Sequence, residues 1–244
     1  MCTVVILCRP DHEWPILMAA NRDEMENRPW APPARHWADR PEVRAGVDQL
    51  AGGTWLALSD QPVVAGVLNR MGTLGPAAGF RSRGELPLEA VDHAEASVAA
   101  EALSHLDPTA YRPFNMVVAD RMGGYWLRND GADMVAEALP EGISIITAHD
   151  LNDLKSPRIA HYLPRFQAAA DPNPDTGDWA AWQALMSDRR GTGDPHGAMQ
   201  VETDIGFRTV CSSLIALPAN PEKKPIWLFA AGAPDAVPFL AVDP

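Results

Sequence analysis

The sequence predicts an α+β fold built on antiparallel sheets, and three observations carry that prediction. Strand-like and helix-like stretches come in segregated blocks, not in the strict alternation of a parallel doubly wound sheet. Short connections of hairpin type, one of them marked by Gly123-Gly124, join several of the strand-like runs. With 244 residues, 46% of them hydrophobic, the chain can bury a sizeable core as one domain over residues 1–244, with two small domains as the lesser alternative.

Each element has a local reason. Residues 2–8 are rich in β-branched side chains and read as a first strand, and residues 16–21 as a second, joined by the loop 9–15. Residues 25–50 carry many Pro, Arg and Trp and read as an irregular excursion. Gly52-Gly53 opens a strand through Leu58, and residues 63–69 form another, followed by a glycine-rich loop to Arg81. Ser82-Arg83-Gly84-Glu85 has capping-box spacing, so a helix is expected to about Ala94 and another to Leu106. Residues 114–119 and 125–128 read as a hairpin turning at Gly123-Gly124, and 143–148 as a strand. Helices are expected over 156–170, with Pro157 at a tolerated early position, and over 179–189; strands at 208–217 and 226–230 close the chain.

Composition narrows the function classes. A formal net charge of −12, from 32 acidic and 20 basic residues, argues against nucleic acid or anionic membrane as a partner bound through a general basic field. No run approaches the roughly 20 apolar residues that span a bilayer, so no membrane insertion is expected. The N-terminus lacks the flanks of a secretory signal. Three cysteines, without a CxxC or a close Cys/His cluster, build neither a disulfide framework nor a zinc site. A reducing, cytoplasmic setting is expected, with no metal or other cofactor.

The most informative residue is Cys2. Removal of Met1 would give it both a thiol and an α-amine with an unperturbed pKa of about 7.7–8.0. A nucleophile paired with its own terminal amine is an established activation device. The alternative is a small apolar residue at the head of a buried strand. Asn21-Arg22-Asp23-Glu24 is the densest polar cluster at a strand end. On an extended strand Asn21 and Asp23 share one face, and Arg22 and Glu24 the other. Asn69 offers an amide donor suited to an oxyanion, or simply a turn residue. His149-Asp150 is a base with its orienter, or a turn cap. Arg208 holds a carboxylate or phosphate, or makes a surface ion pair. Gly52-Gly53-Thr54-Trp55 allows a close ligand approach, or a bend before a strand.

Taken together, Met1-Cys2, Asn21-Arg22-Asp23-Glu24 with Arg28-Pro29, Gly46-Val47-Asp48 with Gly52-Gly53-Thr54-Trp55-Leu56, Asn69-Arg70, Ser82 to Leu86 and Phe114-Asn115 resemble the NRDE family, which includes transport and Golgi organisation protein 2. The likeness covers the first half and thins after about residue 150. That family resembles N-terminal nucleophile hydrolases of the choloylglycine hydrolase and penicillin V acylase type, which implies a four-layer αββα sandwich. By the resemblance, Cys2 is nucleophile and, through its freed amine, base. Asp23 holds the amine and thiol, Asn69 is the oxyanion asparagine, and Arg208 matches the late active-site arginine. Asn21, Arg22, Trp55, Arg70 and His149 are the expected binding residues. Two departures stand out. The amidases carry their arginine three residues before the aspartate, and they carry a second site asparagine where this chain has Ala148-His149-Asp150, with Asn152 further on. The implied function is hydrolysis of a small-molecule amide or ester. The alternative implied by the family is a binding or trafficking protein for haem, acyl chains or acyl-CoA, with Trp30, Trp37 and Trp55 lining a pocket.

Overall fold

The opening strand is a run of alternately directed apolar residues, and it pairs with the strand that follows it and with one at residues 142–146. The computed structural model describes residues 2–191, 193 and 197–243. These group into two compact units, residues 1–27 with 140–244, and residues 28–139.

In the first unit, β1 (Thr3–Cys8), β2 (Ile16–Met25), β10 (Gly142–Ile146), β11 (Phe207–Leu217), β12 (Ile226–Ala230) and β13 (Leu240–Ala241) form a six-stranded sheet in the order β10-β1-β2-β11-β12-β13. Every pairing is antiparallel. Helices α3 (Pro157–Ala168) and α4 (Ala180–Met186) supply Ile159, Tyr162, Phe166, Trp182 and Met186 to a core shared with Val5, Leu7, Leu17, Ala19, Ile145 and Leu214. The strand contributors sit at every second position, as a half-covered sheet requires. Each such side chain contributes about 1.5–3 kcal/mol on full burial. α3 begins as expected: the Ser156 hydroxyl accepts from the Ile159 N–H, with Pro157 directly after it.

In the second unit, β3 (Trp30–Ala34), β4 (Val43–Asp48), β5 (Leu56–Ser59), β6 (Val64–Asn69), β7 (Phe114–Asp120), β8 (Gly123–Asn129) and β9 (Met134–Ala138) form a seven-stranded antiparallel meander in sequence order. Helices α1 (Leu86–Val91) and α2 (Ala96–Ser104) cover it with Leu86, Leu88, Val91, Ala99 and Leu103, packed on Ala45, Ala57, Ala65, Met116, Val118 and Leu127.

Several expectations are corrected. The 25–50 excursion contains β3 and β4 as well as the end of β2. β3 was hidden by Pro32-Pro33, which a strand tolerates here because β3 lies at the sheet edge and its register shifts between Ala31 and Ala34. The β7–β8 hairpin turns at Arg121-Met122, and Gly123-Gly124 already belong to β8. Ser82 caps a single 3₁₀ turn, Arg83–Glu85, by accepting from the Gly84 N–H. Glu85 does not complete a capping box; its carboxylate accepts from the Tyr111 hydroxyl at 2.6 Å and pairs with Arg81 at 2.7 Å. The edge strands β9 and β13 had no strong pattern to announce them.

Candidate active site

Strand register builds the centre of the first unit. Thr3 pairs with Asn21, so Cys2, one residue earlier, falls beside Arg22, and Arg22 pairs in turn with Cys211 on β11. Alternation then separates two sets of side chains. Thr3, Asn21 and Asp23 point to the face that carries α3 and α4, as the period-two reading of the Asn21–Glu24 cluster expected, and Cys2 and Arg22 point to the opposite face.

Asp23 is the node. Its carboxylate is fully buried and accepts from the Thr209 hydroxyl at 2.7 Å and from Arg158 Nη1 at 3.3 Å. The same Arg158 nitrogen donates to the Thr3 hydroxyl at 2.5 Å. Thr209 is itself aimed, because its Oγ1 accepts from the Val201 N–H at 2.9 Å. A register shift between Thr209 and Cys211 leaves Val210 as an extra residue, so β11 can deliver Thr209 to Asp23 and Cys211 to Arg22. The Arg158–Asp23 pair is buried on both sides, and removing one partner of such a pair typically costs about 3–5 kcal/mol.

Cys2 meets Asp23 through the main chain: Cys2 Sγ lies 3.7 Å from the Asp23 carbonyl oxygen. Burial pushes the Cys2 thiol up, and the Asp23 charge adds to that; Arg22 pulls the other way. The resting sulfur is therefore a thiol, and a nearby base is needed to make it a nucleophile. Cys211 is also raised, chiefly by burial, and Cys8 is pushed up to about 12 by burial. Met1, whose removal would free the Cys2 amine, lies outside the described residues.

The other expected residues of this unit have definite stations. The Asn21 amide is fully engaged: Nδ2 donates to the Met186 and Met199 carbonyls, each at 3.0 Å, and Oδ1 accepts from Ser212 at 2.5 Å. It ties the end of α4 to the sheet. Arg208 is part-exposed and pairs with Glu202 at 2.8 Å and Glu26 at 3.2 Å, the surface ion pair that was its alternative reading. His149 follows β10; its N–H donates to Thr147 Oγ1 at 3.3 Å, and its ring approaches Asp153 at 3.7 Å. Asn152 holds a left-handed φ of 55°. Its side chain accepts from the Ile145 N–H at 2.8 Å and donates to Ser144 at 3.1 Å. That amide closes the end of β10 in the way a strand partner would.

The motif residues of the second unit also resolve into chemistry. Asn69 ends β6, part-exposed, and among the described residues its side chain makes no hydrogen bond. Its amide is thus an unengaged donor. Arg70 Nη1 donates to Asn115 Oδ1 at 2.7 Å. Arg83 and Arg112 clamp the loop beyond it, Arg83 through the Thr73 and Pro113 carbonyls and Arg112 through those of Gly72 and Leu74. Asp48 accepts from Arg28 at 2.6 Å and from the N–H groups of Leu50 and Ala51. Trp55 packs edge-on to Trp30, and a Cβ on Gly46 would lie 2.2 Å from its ring. The Gly46 to Trp55 motif is in this unit a packing and turn device. Among the described residues no three His, Cys, Asp or Glu gather in a way that could hold a metal ion, and no helix is long and apolar enough to cross a membrane.

The sequence pattern pointed to Cys2, Asp23 and Asn69 but missed Arg158 and Thr209. One signal for Arg158 was available: a cation in the first turn of a helix opposes the macrodipole and calls for a specific partner.

Solved structures with the same fold include an N-acylethanolamine-hydrolyzing acid amidase orthologue of Caenorhabditis elegans, with a TM-score of 0.59 and 14% identity over 91% of this chain and 94% of that one. A mutant of the conjugated bile acid hydrolase of Clostridium perfringens matches with a TM-score of 0.54 and 10% identity over 100% of this chain and 97% of that one. A second variant of that hydrolase gives 0.57 and 10% over 99% and 92%. These are N-terminal nucleophile hydrolases, so the fold is the expected α+β, Ntn-hydrolase-like class with antiparallel sheets. A mouse protein described as Transport and Golgi organization 2 homolog is 35% identical over 114 residues, 43% of this chain and 38% of the mouse protein. The chain thus matches well under half the length of that relative. The model of the family Transport and Golgi organisation 2 matches residues 1–195, and the chain belongs to that family.

Proposed function

We propose that the chain is a cysteine N-terminal nucleophile hydrolase that cleaves a small-molecule amide, or an ester, through an acyl-enzyme. One observation carries this reading: the Cys2 thiol sits 3.7 Å from the carbonyl of Asp23, whose carboxylate is anchored by Thr209 and Arg158.

In this mechanism removal of Met1 frees the Cys2 amine. The amine takes the thiol proton, the sulfur attacks the carbonyl carbon, and the developing oxyanion takes an amide donor, the role that the family resemblance gives to Asn69. The C–N bond breaks as the leaving amine takes the proton. Water, deprotonated by the Cys2 amine, then attacks the thioester, the C–S bond breaks, and the acid leaves with the thiol restored. The raised thiol pKa makes a base beside the sulfur necessary, the part the freed amine takes in this scheme. Arg208, engaged with Glu202 and Glu26, takes no step in it. The binding alternative draws less support, since Trp30 and Trp55 pack on each other.

The test is a panel of chromogenic amides and esters with protein whose Met1 has been removed, verified by intact mass. A burst stoichiometric with protein, an acyl adduct on the Cys2 peptide, and loss of both in Cys2→Ala are expected. Absence of turnover and adduct across the panel overturns the reading. Binding of haem or acyl-CoA that survives Cys2→Ala without turnover in either protein would favour the alternative.

A further inference from the structure

We propose that Arg158 is a positioning residue for Cys2, acting through Asp23 and Thr3 to fix the chain on either side of the thiol. The proposal rests on the reading of Cys2 as the reactive thiol.

The placement of Arg158 needs a physical reason. Arg158 is buried in the first turn of α3, where the helix macrodipole disfavours a cation and where no solvent compensates it. Its Nη1 reaches two acceptors on adjacent strands: the Asp23 carboxylate at 3.3 Å and the Thr3 hydroxyl at 2.5 Å. Thr3 is the residue directly after Cys2 in the chain. Asp23 is the residue whose carbonyl faces Cys2 Sγ. One guanidinium therefore holds the backbone that carries the thiol and the backbone that the thiol touches, from the face of the sheet opposite to the sulfur.

The charge environment gives this a second consequence. Among the described residues, the charged and titratable groups acting on Cys2 are Asp23, Arg22 and, on the far side of Arg22, Cys211. Of these, Asp23 opposes ionisation of the thiol and Arg22 favours it. The Asp23 carboxylate is buried against a cation and a hydroxyl donor, Arg158 and Thr209. Arg158 thus sets where Asp23 points, and so how the Asp23 charge meets Cys2.

The experiment follows alkylation of Cys2 by iodoacetamide across the neutral to alkaline range, on the full chain, with the Cys2 peptide quantified by mass spectrometry. Cys8 is buried and away from Asp23's influence, and serves as the internal control. Asp23→Asn is expected to move the Cys2 profile to lower pH by about half a unit or more, the effect of losing a nearby like charge. Arg158→Met should also move it, because Asp23 loses the cation that holds it, and Asp23→Asn with Arg158→Met should match Asp23→Asn alone. Arg158→Lys, which keeps the charge, should stay with the wild type. An Arg158→Met protein with native circular dichroism and an unmoved profile overturns the proposal, as does an Arg158→Lys protein that behaves like Arg158→Met. Should Arg158→Met not fold, the double variant decides, since it leaves no buried charge unpaired: a profile that differs from that of Asp23→Asn overturns the proposal. No turnover is needed for this readout. A protein that hydrolyses nothing yet shows these shifts loses the hydrolase reading and keeps Arg158 as a positioning residue; hydrolysis without the shifts does the reverse.

Discussion

Gly53 and Gly84 cross so closely that a Cβ on Gly53 would lie 2.5 Å from the Gly84 carbonyl carbon. The crossing is locked by a hydrogen bond from the Thr54 N–H to the Gly84 carbonyl at 2.8 Å. It joins two sequence motifs, Gly52-Gly53-Thr54-Trp55 and Ser82-Arg83-Gly84-Glu85, that looked independent in the sequence. Because the obstacle is backbone on both sides, it cannot be relieved by a rotamer change. Gly53→Ala is expected to destabilise the protein by about 1–3 kcal/mol, the usual range for overpacking. Urea unfolding followed by circular dichroism checks this; a midpoint equal to that of the wild type would mean that the loops separate freely.

The asparagine after β10 allows a second test. Asn152 combines a left-handed backbone with two side-chain hydrogen bonds that close the strand. Asn152→Ala loses both bonds and adds the steric penalty of a Cβ residue without local hydrogen bonding, for a loss of about 2–3 kcal/mol. Asn152→Gly keeps the backbone and should lose less. The ordering of the two midpoints in urea is the measurement, and Gly at or below Ala would show that the φ angle is not the burden.

How much of this could be read from the sequence depended on range. The separation of Asn21 and Asp23 from Arg22 was legible because period-two alternation is a local property of any strand. The ends of β1 and α3 were legible for similar reasons. The partners of Asp23 were not: Thr209 is 186 residues away and Arg158 is 135 residues away, and only the β2–β11 register and the packing of α3 bring them in. Arg208 shows the converse. It stands near the start of the same strand as Thr209, and one step along β11 divides a surface ion pair from the buried node. β3 was illegible because its prolines mask a strand that only its edge position permits.

Alkaline pH should weaken the fold through its buried thiols. The Cys8 thiol, pushed up to about 12 by burial, keeps its proton in the folded state while an unfolded cysteine loses its proton near its unperturbed pKa of about 8.5. Between these values the folded state binds more protons, so stability falls as pH rises; below the lower value the contribution is fully present. Each such thiol contributes a slope of about 1.4 kcal/mol per pH unit within its window. Cys8→Ala should flatten the decline by about that amount, read from urea midpoints above the unfolded thiol pKa. An unchanged slope would assign the alkaline loss to other groups.

Asn69 separates catalysis from stability most cleanly. Its amide makes no hydrogen bond among the described residues, so Asn69→Ala breaks none and its unfolding midpoint should stay within about 0.5 kcal/mol of the wild type. If the amide donates to the oxyanion in the proposed reaction, the same substitution should lower kcat by about 10²–10³ with little change in KM. Asn69→Asp, which places an acceptor and a negative charge where the oxyanion forms, should be at least as inactive. Arg208→Met is the control on the other side: an exposed ion pair contributes about 0–1 kcal/mol, and kcat should be retained. If Asn69→Ala keeps full kcat, the oxyanion donor lies elsewhere. If Arg208→Met loses kcat while its stability holds, the late arginine of the family pattern regains a catalytic role that its pairing with Glu202 and Glu26 argues against.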